Sequence, residues 1–209
     1  MRPDVERAER RARQYWYDDG LTEIGAGCIF LAIGALFLAE SFFPKGSLPA
    51  SFSAIGIVLL VAGGIWIVSW GVKAAKARIT YPRTGYVRYQ RRQRSRRQRL
   101  IAAASGIAVA VTVNLLLFAT APASLDWIPA MQGVFVGGFS LLIAYSAGLS
   151  RFYLLALFSF LLGAGVALAG LGSSLGNGVY FTGMGLAFLF SGVITLVNYL
   201  RSAPSPEGE

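Results

Sequence analysis

The sequence predicts an all-α polytopic membrane protein: a bundle of six transmembrane helices with an N-terminal interfacial helix and a basic cytoplasmic loop. Three observations predict it. Of 209 residues, 55% are hydrophobic and only 14% charged, against about 25% charged in an ordinary soluble domain. Six predominantly apolar runs are each long enough to span a bilayer, since about 20 helical residues at 1.5 Å cover a hydrocarbon core of about 30 Å. The cations, which give a net charge of +9, are confined to the connections between those runs.

Residues 1–20 read as a cytoplasmic interfacial helix. Pro3 suits a first helical turn, and Glu6 with Arg10 and Glu9 with Arg13 stand at supportive i,i+4 spacing. The thin apolar side, Val5, Ala8 and Ala12, runs on to Tyr15, Trp16 and Tyr17, as in a helix that lies among headgroups. The densest acidic group follows: Asp18, Asp19 and Glu23. Asp18 or Asp19 is placed to cap the first span and to favour its positive dipole end. Glu23, one turn inside, needs a cationic partner. Arginines of the long loop, Arg83 and Arg88 first, are expected to dock on it.

The spans fall at about 21–43, 52–72, 100–121, 128–149, 152–171 and 179–200, a single transmembrane domain over residues 21–200. Pro44-Lys45-Gly46 separates the first two. The loop 73–99 carries eleven basic residues and no acidic one. Within it, Ile79 to Tyr89 has the β-branched and aromatic flanks and the Pro-Arg-Thr-Gly turn of a small hairpin. Arg91, Arg92, Arg94, Arg96, Arg97 and Arg99 then surround a helix that leads into the third span. Pro122, Asp126 and Pro129 mark the next connection, Ser150-Arg151 a tight link, and Gly172 to Gly178 a turn. The tail 201–209, rich in Ser, Pro and Glu, reads as disordered.

With six spans both termini share a side, and that side holds eighteen of the nineteen Lys and Arg residues; only Lys45 is opposite. The positive-inside rule then puts both termini in the cytoplasm of a prokaryotic inner membrane. Tyr15, Trp16, Tyr17, Trp70 and Tyr199 fall at the inner interface as anchors, and Trp127 at the outer one. An internal repeat of three hairpins is suggested by Gly63 to Trp70, Gly138 to Tyr145 and Gly192 to Tyr199, each pair seven residues apart.

The chain has no histidine, which removes Ser-His-Asp catalysis and HExxH zinc sites. Its single cysteine, Cys28, has no partner for a disulfide or a metal site and reads as a small core residue. No metal or cofactor is implied. Asn114 and Gln132 are the candidate intramembrane polar site. The absence of Lys, Arg and Asp from mid-span positions argues against an ion-coupled pump. Numerous glycines fit close helix approach.

Asp19-Gly20 at the head of a membrane helix is similar to the opening of the CDP-alcohol phosphotransferase signature. That signature continues Asp-Gly-x-x-Ala-Arg with two later aspartates. Here Leu21-Thr22-Glu23-Ile24 follow and no later aspartate lies on the cytoplasmic side, so no two-metal site is carried over. Tyr15-Trp16-Tyr17-Asp18-Asp19-Gly20-Leu21-Thr22-Glu23 and Ile79-Thr80-Tyr81-Pro82-Arg83-Thr84-Gly85-Tyr86-Val87 resemble paired signatures of an uncharacterised family of prokaryotic multi-span membrane proteins. The resemblance covers roughly the first half of the chain and implies no activity.

These features together lead us to expect a non-enzymatic scaffold or accessory subunit whose cytoplasmic face binds anionic phospholipid or a membrane or cytoplasmic protein partner. The six loop arginines would be the lipid contacts, at about 1 kcal/mol each. Close-packing glycine faces also suit a homo-oligomer. Nucleic acid is disfavoured because the cations sit beside apolar spans. The alternatives are a small transporter or channel for a weakly polar or lipid-like solute, using Asn114 and Gln132, and a metal-dependent phospholipid-headgroup enzyme using Asp18, Asp19 and Glu23.

Overall fold

A computed structural model of the chain describes residues 17–44, 47–79 and 127–202. Five helices form this part: α1 (Leu21–Ser41), α2 (Leu48–Ile79), α3 (Ile128–Ala147), α4 (Ser150–Leu168) and α5 (Ser173–Ser202). Among the described residues there is no strand. The helices α1, α3, α4 and α5 are each long and apolar enough to cross a membrane. Large apolar side chains such as Trp66, Phe139, Leu154 and Phe190 project outward from the bundle. The interfacial helix before Tyr17, the third span, the hairpin and arginine helix of the loop, and the tail lie outside the described residues.

Two boundaries differ from those the hydropathy pattern suggests. The helix α2 does not end at Val72 but runs on to Ile79. Lys73 to Arg78 alternate cations with alanines, all good helix formers, and no breaker intervenes. Its 32 residues rise about 48 Å, well beyond a hydrocarbon core of about 30 Å. The helix α5 starts at Ser173, so the expected turn over 172–178 shrinks to the left-handed glycines Gly170 and Gly172. Gly176 and Gly178 look like turn residues, yet they serve as contact points: Gly176 faces Pro129 and Val166, and Gly178 faces Leu38. The α3–α4 turn is closed by Gly148 at φ 72°, whose N–H bonds the Ala144 carbonyl at 2.8 Å, a C-cap that favours glycine.

Each short connection folds its helices back on one another. The helix α1 lies mainly against α5 and also against α2, α3 pairs with α4, and both α3 and α4 touch α5. Glycines set the α1–α5 separation. Gly20, Gly27 and Gly34 recur every seven residues at the head of and along α1, and Gly178, Gly185 and Gly192 do so along α5. The helices run antiparallel: Gly20 meets Gly192, Gly27 meets Gly185, and Gly34 meets Thr182. A Cβ on Gly185 would stand 2.8 Å from the Leu31 backbone nitrogen, and one on Gly27 2.9 Å from the Gly185 carbonyl oxygen. A seven-residue repeat keeps one seam turned towards a partner. In lipid this backbone proximity takes over from the hydrophobic effect as the source of cohesion. Gly133 and Gly163 form a similar crossing between α3 and α4, where a Cβ on Gly163 would lie 2.8 Å from the Gly133 Cα.

The bundle core is formed by Ala144, Ala147, Leu149, Phe152, Leu155, Tyr180, Met184 and Phe188, with Phe30 and Phe181 packed around it. Cys28 is exposed and so is not the core residue expected; Gly25 and Gly27, just before it, take the α2-facing and α5-facing positions. The glycines aligned in the suggested repeat are not equivalent. Gly192 lies against the Gly20 backbone, whereas a Cβ on Gly63 or Gly138 meets no described atom within 4 Å.

Gly185→Ala should therefore destabilise the protein by about 1–3 kcal/mol through overpacking. Gly165→Ala, with open space at its Cβ, should be neutral or slightly stabilising through helix propensity. Thermal unfolding of both variants in lipid nanodiscs checks the contrast.

Candidate functional site

The polar centre of the described bundle is built on the first turn of α1. Gly20 is the N-cap residue at φ 68°, and its missing side chain lets the turn sit directly on the Gly192 carbonyl. A residue with a Cβ would both strain the backbone and strike α5. This turn projects Asp19 and Glu23 inward, and both are only 1% exposed. Asp19 Oδ1 accepts the Leu21 N–H at 3.2 Å, so Asp19 caps from the position before the N-cap.

Asp19 Oδ2 pairs with Lys76 Nζ at 2.8 Å, with 1% and 2% of the side chains exposed. The lysine comes from the part of α2 that extends beyond the apolar run. Glu23 Oε1 accepts Arg151 Nε at 2.7 Å, and Glu23 Oε2 accepts the Ser191 hydroxyl. Arg151 Nη2 donates to the Tyr17 carbonyl. The same guanidinium stands 5.6 Å from the centroid of the Phe152 ring, which also meets the Tyr17 ring edge-on with centroids 5.5 Å apart. Two anions and two cations thus cancel, and each carboxylate oxygen named here has a donor. The first turn of α1 is thereby tied to the end of α2, the start of α4 and the second half of α5.

Removing one member of such a pair leaves a buried charge without compensation, which costs far more than the intact pair contributes. Beside it, burial lifts the Asp18 carboxyl above the ordinary aspartate range; Arg151 opposes the lift, Asp19 adds to it and Lys76 opposes it. Burial also raises the Tyr17 phenol, and the Glu23 charge adds to that.

The expected docking partners of Glu23, Arg83 and Arg88, lie outside the described residues, and the position is filled by Arg151. A link arginine in the first turn of α4 reaches Glu23 from a neighbouring helix and needs no loop to fold over it. The residue had a signal in the sequence: between Asp126 and Arg201 it is the only charged residue. Tyr17 is not a free interfacial anchor, since its ring packs on Phe152 and its carbonyl serves Arg151. Trp70 is exposed and Tyr199 half-buried at the same end. Tyr15, Trp16, Asn114 and the lipid-facing candidates Arg91, Arg92, Arg94, Arg96, Arg97 and Arg99 lie outside the described residues.

A second polar group lies where α3, α4 and α5 cross. The Ser159 hydroxyl donates to the Gly133 carbonyl at 3.0 Å and lies 2.8 Å from the Tyr180 hydroxyl. The Tyr180 hydroxyl in turn donates to the Gln132 carbonyl at 3.0 Å. Gln132 therefore takes part through its backbone carbonyl. Ser159 and Tyr180 were not marked by sequence reasoning, although Ser159 is the one hydroxyl inside the apolar run 154–168.

Among the described residues no three His, Cys, Asp or Glu side chains gather as a metal site. Asp19 and Glu23 are each committed to a cationic side chain. Comparison with known proteins finds no matching family model, curated protein or solved structure.

Glu23→Met or Arg151→Met alone should cost about 3–5 kcal/mol, and the double replacement should recover most of that loss. Reversible unfolding in mixed micelles, run as a double-mutant cycle, measures the coupling.

Proposed function

We propose that this chain is a six-span inner-membrane protein that acts as a non-enzymatic scaffold or accessory subunit, presenting a basic cytoplasmic surface to anionic phospholipid. The observation that carries the reading is the Asp19–Lys76 pair. Asp19 lies at the root of the N-terminal arm and Lys76 at the root of the loop. Together these segments hold sixteen of the nineteen basic residues. A buried ion pair at that point makes both emerge from the same end of the bundle, side by side.

The path of the chain supports six spans. It leaves the charged end after Ile79. It re-enters at Trp127 at the opposite end, because α3 runs towards Gly148 and the Arg151 turn. The apolar run 100–121 is long enough for one crossing between those two points. The interfacial helix over 1–20 and the cytoplasmic orientation rest on the charge distribution and the positive-inside rule. The headgroup-enzyme reading loses support because the carboxylates it needs are neutralised by Lys76 and Arg151. A solute-conducting role draws on one observation, the polar group around Gln132.

The test is vesicle capture by full-length protein held in neutral-lipid nanodiscs. Capture should rise with the anionic lipid content of the vesicles. It should weaken strongly between 0.1 M and 1 M salt, as the Debye length falls from about 10 Å to about 3 Å. Capture that ignores both variables would contradict the proposal.

A further inference from the structure

The α3–α4–α5 crossing has more hydrogen-bond acceptors than protons. Its two hydroxyls, Ser159 and Tyr180, are both fully buried and make three contacts: with the Gly133 carbonyl, with the Gln132 carbonyl and with each other. Carbonyls only accept, so two hydroxyl protons cannot serve all three contacts. Nearby on the same elements, Gln132 Oε1 and Asn177 Oδ1 are buried and meet no donor among the described residues. Asn177 is 7% exposed. It stands one turn before Tyr180 on α5, and Gln132 stands one turn after Pro129, which packs on Gly176. These atoms therefore share one small region of three helices.

An unmet polar atom of this kind is far more expensive in a membrane interior than at a wet surface. Among the described residues no ionised side chain is recorded in contact with this group, so a cation or anion would bring a charge with no counterpart there. The Asn and Gln amides can each be turned end for end, which exchanges the unmet acceptor for an unmet donor. Only a ligand that both donates and accepts satisfies either orientation. The smallest such ligand is water, which makes about three hydrogen bonds when buried.

The location is also close to one end of the bundle. Asn177 lies about 6 Å along α5 from its first residue. At that end of the bundle is a cleft of 460 Å³ lined by Glu40, Phe43 and the segment from Leu171 to Leu175. The wall of the cleft thus ends two residues before Asn177.

We propose that Asn177, Gln132, Ser159 and Tyr180 form a binding site for structural water inside the membrane domain, supplied from the end opposite the charged cluster. A bound water has two protons, enough to donate to both amide oxygens. It gives a closely packed glycine-rich crossing a polar centre that no side chain could fit.

X-ray hydroxyl-radical footprinting of the full chain in nanodiscs tests this, because radicals made from bound water label the side chains beside it. Tyr180 should be modified readily despite its burial, while Phe152, equally buried in the apolar core, should not. Asn177→Leu should reduce Tyr180 labelling several-fold, and Gln132→Met provides the same comparison if the first variant does not fold. Tyr180 as unreactive as Phe152 would overturn the proposal. Labelling of Tyr180 unchanged in a folded amide variant would overturn the assignment to these residues.

Discussion

Two opposite-charge contacts at the head of α1, Asp19 with Lys76 and Glu23 with Arg151, hold the arrangement on which the rest depends. Charges this deeply buried are tolerated only with a partner and further hydrogen bonds. Here the further bonds come from the Leu21 amide, the Ser191 hydroxyl and the Tyr17 carbonyl. The set therefore fixes more than two distances. It determines which ends of α1, α2, α4 and α5 lie together.

The contacts in turn depend on the glycine seam. Glu23 meets Ser191 only because α1 and α5 approach to backbone contact. That approach needs Gly20 against Gly192 and Gly27 against Gly185. A lipid environment makes both devices effective. Apolar side chains gain nothing by leaving lipid for another helix, so close packing and polar contacts provide the specificity. The molecule uses them in different places: ion pairs at one end, and the hydroxyl and amide group of Ser159, Tyr180, Gln132 and Asn177 nearer the other.

Much of the fold was legible in the sequence because length and hydropathy are strong signals for a helix in lipid. The first, fourth and fifth apolar runs coincide with α1, α3 and α4 to within a few residues. The signals that misled were local ones. Lys73 to Arg78 look like loop because they are charged, yet charge does not stop a helix that has left the apolar layer. Ser173 to Gly178 look like a turn because they are small and polar, yet smallness is what the crossings with Pro129 and Leu38 require. The acidic stretch at 18–23 stood out in the sequence, but the contact of Glu23 with Arg151 did not. Arg151 is 128 residues away from Glu23 in sequence, and nothing in either local pattern encodes the pairing of α1 with α4. The glycine heptads were present in the sequence, but their meaning appears only once α1 and α5 are known to run antiparallel.

The central claim is that the buried pair at the head of α1 holds the roots of the arm and the loop together. Hydrogen–deuterium exchange on full-length protein in nanodiscs addresses it directly. In Asp19→Lys the amides of residues 17–24 and of 73–79 should both lose protection, and the charge swap Asp19→Lys with Lys76→Asp should restore it in both segments. If the single replacement loosens only the segment that carries it, or if the swap restores neither, the two roots are not held by this pair and the account is wrong.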